Sequence, residues 1–312
     1  MPPAVPRRGY LYILACVLLW SSFMLIARLG GKTPLTPFDV LALRLATASA
    51  VLCWLPKPPA AAWRDGWMWG LALIGCVAFC LLCYGAVRWV PAAHLALLVA
   101  GLQPFLLALL LLLWRQGWPQ RATWPGYALM ALGLLLLAWP LFAGQAAPGQ
   151  WLGDGMLLLA GVLWALYALL AKRRPYDAWQ MTSFVTLASA LLYLPVYLLW
   201  LPKGLAQTAW PVIAGQALFH GISPAIVAML CYLRAVALLG PSRVAALMAL
   251  IPVVAGVAAV PLLHEPLTPA LAGALLSVSL GAWWVARPAL PVASGRDRGL
   301  RPTLTEEKPC RT

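Results

Sequence analysis

The chain has 312 residues, 63% of them hydrophobic and only 10% charged, with a mean hydropathy of +0.86. Soluble globular chains carry about 25% charged residues, so this chain has too little polar surface to face water and no segment left for a separate soluble domain. The net charge of +14 does not point to nucleic acid: the basic residues flank apolar runs instead of forming a patch interleaved with stacking aromatics.

A helix needs about 20 apolar residues to cross a bilayer. Runs of that length predict an all-α polytopic membrane protein with ten transmembrane helices, near residues 10–29, 38–56, 67–87, 91–114, 124–142, 152–171, 180–201, 210–233, 242–263 and 267–286. Pro, Gly and charge mark the breaks, as at Gly30-Gly31-Lys32, Pro56-Lys57-Pro58-Pro59, Lys172-Arg173-Arg174-Pro175 and Gly240-Pro241-Ser242. The first run follows Arg7 and Arg8 as a signal peptide would. It is too long, lacks a clean small-residue cleavage site and precedes nine similar runs, so it reads as a retained span. Residues 1–9 read as an N-terminal tail, and the polar, Pro/Arg-rich segment 288–312 as a disordered C-terminal tail. Six of the seven cysteines lie inside apolar runs, which is not a disulfide framework.

With the N-terminus inside, 17 Lys and Arg fall on the inner side and 4 (Arg28, Lys32, Arg88, Lys203) on the outer, while Arg44 lies within a span. That bias places both termini in the cytoplasm of a multi-pass protein of the cell inner membrane. Many of the 17 tryptophans, including Trp54, Trp67, Trp89, Trp200 and Trp210, fall near span ends, where interfacial belts form.

The second half repeats the first. Leu19-Trp20 with Ala27-Arg28 matches Leu163-Trp164 with Ala171-Lys172, 144 residues on; Pro37-Phe38-Asp39 matches Pro175-Tyr176-Asp177, 138 residues on. Cys83-Tyr84 matches Cys231-Tyr232 and Pro104 matches Pro252, both 148 residues on. Four matches in one order imply two five-helix repeats, 10–143 and 144–287. An odd number of spans inserts the second copy upside down, the plan of transporters whose site lies at the repeat interface.

Five spans twice over, with Leu-Trp in the first span of each half, Asp39 ahead of Arg44 in the second span, and a proline in the fourth and ninth spans, resembles the drug/metabolite transporter superfamily, specifically its EamA-type ten-helix exporters. The stretch from Pro252 to Glu265, followed by Thr268 and Gly273, resembles the closing motif of an EamA repeat; in the first half the position matching Glu265 is Gly117. The resemblance implies a secondary transporter that exports a small metabolite, amino acid or drug-like molecule by alternating access. A flippase for a lipid or lipid-linked substrate shares the helix count and is the alternative.

Candidate substrate-binding residues follow from polar or aromatic side chains at depth. Arg44 lies six residues into the second span and reads as an anion clamp, or else as a structural partner of Asp39 or of helix-end carbonyls. His220 is placed near the midplane and reads as a proton-coupling or substrate group, or as a neutral histidine bonded between helices. Gln103 is a polar group in an apolar helix. Trp20, Tyr84, Trp164, Tyr167 and Tyr232 read as a cavity lining or as core. Pro104 and Pro252 each remove a backbone bond and read as paired hinges. Cys76, Cys80 and Cys83 share a helix face, but no matching His or Cys cluster supports a metal site. Glu265 with His264 reads as an exposed loop pair at the outer end of the ninth span.

No acidic residue is placed deep in a span, and no H-E-x-x-H, G-x-S-x-G or Walker pattern is present, so neither enzyme chemistry nor a cofactor is expected. The expected partners are a small-molecule substrate, the lipid bilayer and protons, with no nucleic acid, for a monomer or homodimer.

Overall fold

A computed structural model describes residues 7–115 and 118–286, and every regular element in them is helical. The helices are α1 (Arg7–Gly31), α2 (Pro37–Leu52), α3 (Gly66–Ala86), α4 (Ala92–Gly101) bent by 43° onto α5 (Gln103–Leu113), α6 (Arg121–Phe142), α7 (Gln150–Ala171), α8 (Ala178–Trp200), α9 (Trp210–Leu239), α10 (Pro241–Met248) continued by α11 (Ile251–Leu263), and α12 (Pro269–Ala286). The expected disordered C-terminal tail lies outside the described residues.

Among the described residues, eight helical units are long and apolar enough to cross a membrane, and the bent α4–α5 pair makes nine. The tenth expected crossing, α2, has 16 residues, about 24 Å of helix against about 30 Å of hydrocarbon. Its length therefore does not establish a span. Arg44 and the polar start at Thr36–Asp39 shorten its apolar stretch.

Local chemistry sets several helix starts. Asp39 N donates to Thr36 Oγ1 (3.1 Å) while Thr36 N donates to Asp39 Oδ2 (2.7 Å), a capping box with Pro37 in the first turn of α2. At α8 the same device uses Asp177 and Gln180: Gln180 N donates to Asp177 Oδ1 at 2.8 Å. The sequence match Asp39–Asp177 thus hides a shift, since Asp39 is the third residue of its helix and Asp177 the cap residue before its own.

The packing has a two-fold pattern. α1 packs on α9 and on α10 and α11; correspondingly, α7 packs on α3 and on α4 and α5. α2 packs on α9 as α8 packs on α3, while α2 with α8, α4 with α11, and α6 with α12 pair across the pattern's centre. The irregularities repeat too: π-helical turns interrupt α3 at Leu73–Ala78 and α9 at Ser223–Val227. α5 and α11 both restart with proline at their second residue, Pro104 and Pro252. The α6–α12 seam is closed by small residues, as lipid-embedded helices require: a Cβ added at Gly281 would stand 2.5 Å from the Gly126 carbonyl oxygen. The belt tryptophans Trp54, Trp67, Trp89, Trp200 and Trp210 are all exposed.

Candidate functional site

A cavity of about 800 Å³ lies between the halves, with walls from both. It runs from Arg44, Gly75 and Cys76 inside the bundle to Trp118, Pro119, Val285 and Ala286 at the end where α5 finishes and α6 begins. That volume falls in the range of sites that enclose small organic molecules.

Aromatic side chains build most of its wall. Trp20 of α1 meets Tyr232 of α9 with ring centroids 5.7 Å apart. Trp164, the repeat counterpart of Trp20, meets Phe79 at 5.0 Å and Tyr167 at 5.3 Å. Tyr167 lies flat enough on α3 that only a glycine, Gly75, fits beneath it: an added Cβ would be 2.3 Å from the ring. Gln103 joins the two helices it touches, donating from Nε2 to Val99 O (2.8 Å) and Gly161 O (3.2 Å). These bonds hold the loosened turn of backbone ahead of Pro104. In the other half, the Ser21 hydroxyl donates to Ile251 O at 3.4 Å, beside Pro252.

Seven of the ten residues singled out from sequence line the cavity: Trp20, Arg44, Gln103, Pro104, Trp164, Tyr167 and Tyr232. Three do not. His220 and Tyr84 are fully buried behind the wall, with Tyr84 Oη 3.3 Å from His220 Nδ1 and Phe23 packed edge-on against both rings. Residue count fixes position along a helix but not the face it shows; of the two readings of His220, its burial against Tyr84 and Phe23 favours the histidine bonded between helices over one that reaches the cavity. Pro252 is buried, its ring 3.1 Å from where a Cβ on Gly101 would stand, so the symmetric prolines have unlike surroundings.

Other expectations also change. Asp39 is not paired with Arg44. It accepts from Tyr197 Oη (2.6 Å) and Gly204 N (2.8 Å) as well as from Thr36, anchoring the loop after α8 to the start of α2. Glu265 is buried, not an exposed loop residue; Arg28 Nε donates to Glu265 Oε1 at 2.7 Å and Ala92 N donates to Glu265 Oε2 at 3.0 Å. Arg28 also donates to the Val87 carbonyl, and Lys32 Nζ to Leu263 O at 3.1 Å. A buried pair that the sequence reading passed over, His94 Nδ1 with Asp154 Oδ1 at 2.6 Å, joins α4 to the first turns of α7, with Gln150 beside it. These ties lie at the end of the bundle opposite Trp118 and Pro119, and none of their residues lines the cavity. At the cavity's open end, the pair Arg174–Asp65 is longer, 3.4 Å, and lies beside Trp67, over whose ring Arg174 sits at 5.4 Å.

Some wall residues escaped the sequence reading, among them Phe23, Phe79, Met229 and Met248. Phe23 was legible: it stands 144 residues before Tyr167, the same shift that relates Trp20 to Trp164. The methionines carry no such signal.

The sequence profile of the EamA-like transporter family matches the chain twice, over residues 7–139 and 151–287. No curated protein sequence matches it significantly. A solved protein crystal structure superposes with a TM-score of 0.61 at 22% identity, covering 89% of this chain and 96% of the other, a likeness of fold. Two matched copies spanning nearly all of the described residues settle the classification: the chain belongs to the EamA-like transporter family.

Proposed function

We propose that the protein is a secondary transporter that moves a small organic molecule out of the cell across the inner membrane by alternating access, its two five-helix repeats inserted in opposite orientations. One observation carries the reading: a cavity walled by both halves reaches one end of the bundle, while ion pairs tie the helices together at the other. Alternating access needs such a pathway, open to one side at a time.

The Lys and Arg distribution supports the open end as the cytoplasmic one, since the inner set includes Arg115, Arg121, Lys172 and Arg173 around that end. Of the four cations assigned outside, Arg28, Lys32 and Lys203 are bonded to Glu265 or to helix-end carbonyls, so they hold structure together and are not free topological signals. The open end then loads cargo from the cytoplasm, as export requires. Trp20, Arg44, Gln103, Trp164, Tyr167 and Tyr232 form the binding surface, and the broken turns before Pro104 and Pro252 are where the repeats flex.

The test is uptake and efflux of a labelled panel of aromatic amines, aromatic acids, amino acids and lipid-linked sugars in proteoliposomes. Flux of a small molecule that saturates and is lost on Trp164→Ala supports the reading. Movement of only the lipid-linked sugar replaces it with a flippase, and no flux of any compound rejects it.

A further inference from the structure

Arg44 is the one charged residue on the cavity wall among the described residues, and no carboxylate answers it. Each described acid is committed elsewhere. Asp39 is held by Thr36, Tyr197 and Gly204, Asp65 by Arg174, and Asp154 by His94. Asp177 caps α8, and Glu265 pairs with Arg28. Inside the bundle Cys76, Cys80 and Tyr84 lie around Arg44, with His220 behind, and none of the four is a carboxylate. A guanidinium inside an apolar bundle is costly, and intramembrane charges are as a rule paired or mark a substrate path. Its planar fork of donors matches a carboxylate or another planar anion. The remaining wall is apolar and aromatic, with Trp20, Phe79, Trp164, Tyr167 and Tyr232 presenting ring faces and edges.

From this we infer that the cargo is an organic anion with a flat apolar body and no ammonium group, its acid group held by Arg44 and its body stacked between the aromatic walls of the two halves. The inference rests on the transporter reading above and narrows its substrate. The absence of a wall carboxylate separates this class from two others. An amphipathic cation would meet Arg44 with no counter-charge. A zwitterion would have its carboxylate satisfied but its ammonium placed near the like charge of Arg44 with no wall carboxylate to answer it.

Four naphthalene derivatives that share a body separate these cases: naphthylacetate, naphthylacetamide, naphthylethylamine and naphthylalanine. Equilibrium dialysis against purified protein in detergent reads binding without depending on transport. Naphthylacetate should bind about tenfold or more tighter than the neutral amide, as expected for an added charged hydrogen bond. Arg44→Gln should reduce the acid to the affinity of the amide, and Arg44→Lys should keep part of the preference. The amide is the folding control, because its affinity should survive in both variants. Equal binding of acid and amide by the natural protein, tighter binding of the amine or amino acid, or an acid preference that survives Arg44→Gln each overturns the inference. Counterflow of naphthylacetate in proteoliposomes tests the parent reading separately: binding with charge preference but no flux would remove the transporter reading and leave the anion site standing.

Discussion

Arg28, in the last turn of α1, and Glu265, just beyond the end of α11, are joined by a 2.7 Å ion pair across 237 residues of sequence. The second carboxylate oxygen of Glu265 accepts from Ala92 N, so one side chain ties α1, α4 and the turn before α12 together. In the first repeat the position matching Glu265 is Gly117 and that matching Arg28 is Lys172. The acid that ties this end together therefore has no counterpart in the other copy. Glu265→Ala should destabilise the protein by about 2–3 kcal/mol, because it strands a guanidinium and a buried N–H. Glu265→Gln keeps an acceptor for Ala92 and should cost less. Thermal denaturation in detergent checks the order; equal losses for the two would show that the bond to Ala92 contributes nothing.

His94 and Asp154 form a second tie at the same end, between helices of opposite repeats. A double-mutant cycle with His94→Gln and Asp154→Asn should give a coupling of about 1–3 kcal/mol. Additive losses would mean the pair is a contact without energetic weight.

The seam between α6 and α12 offers a test with an internal control. Gly281→Ala drives a methyl group to 2.5 Å from a backbone oxygen that cannot turn aside, so the helices must part, at about 1–3 kcal/mol. Gly155→Ala, on α7 with nothing within 4 Å, should be neutral or stabilising by about 0.5–1 kcal/mol. Both are read as melting-temperature shifts in the same detergent. A Gly281→Ala protein as stable as Gly155→Ala would refute the close packing of α6 on α12.

Tyr84 and His220 lie behind the wall; substitution of His220 should change stability and leave the transport profile alone, while Tyr84, which lies beside Arg44, is read for stability only. Tyr84→Phe removes a hydrogen bond of about 1 kcal/mol. His220→Gln should lower the melting temperature yet keep the pH dependence of flux unchanged. A shifted pH profile would return His220 to the proton path from which its burial separates it.

The sequence carried the fold well where a signal repeats. The spacing of apolar runs located the helices, and the drift of matches from Trp20–Trp164 to Pro104–Pro252 exposed the two copies. Polar and aromatic residues inside apolar runs were also readable, and Arg44, Gln103 and Trp164 among them line the cavity. Direction around a helix was not. Tyr84 and Tyr232, equivalent in sequence and each following a π turn in its own copy, face the core and the cavity respectively, so the repeat alone does not fix which way a side chain points. Partners distant along the chain were hidden for a different reason. Glu265 looks like a loop acid until Arg28 is brought beside it, and nothing near Asp154 in the chain announces the histidine that α4 delivers to it.

The claim at the centre of this account is that the cavity conducts only if the sealed end can open. The most direct measurement is flux through proteoliposomes containing a variant with Arg28→Cys and Glu265→Cys in an otherwise cysteine-free chain, before and after bridging by a short bis-maleimide. The account predicts that bridging abolishes net flux while naphthylacetate still binds from the open end, and that either single-cysteine variant is unaffected by the reagent. Undiminished flux through the bridged protein would contradict it.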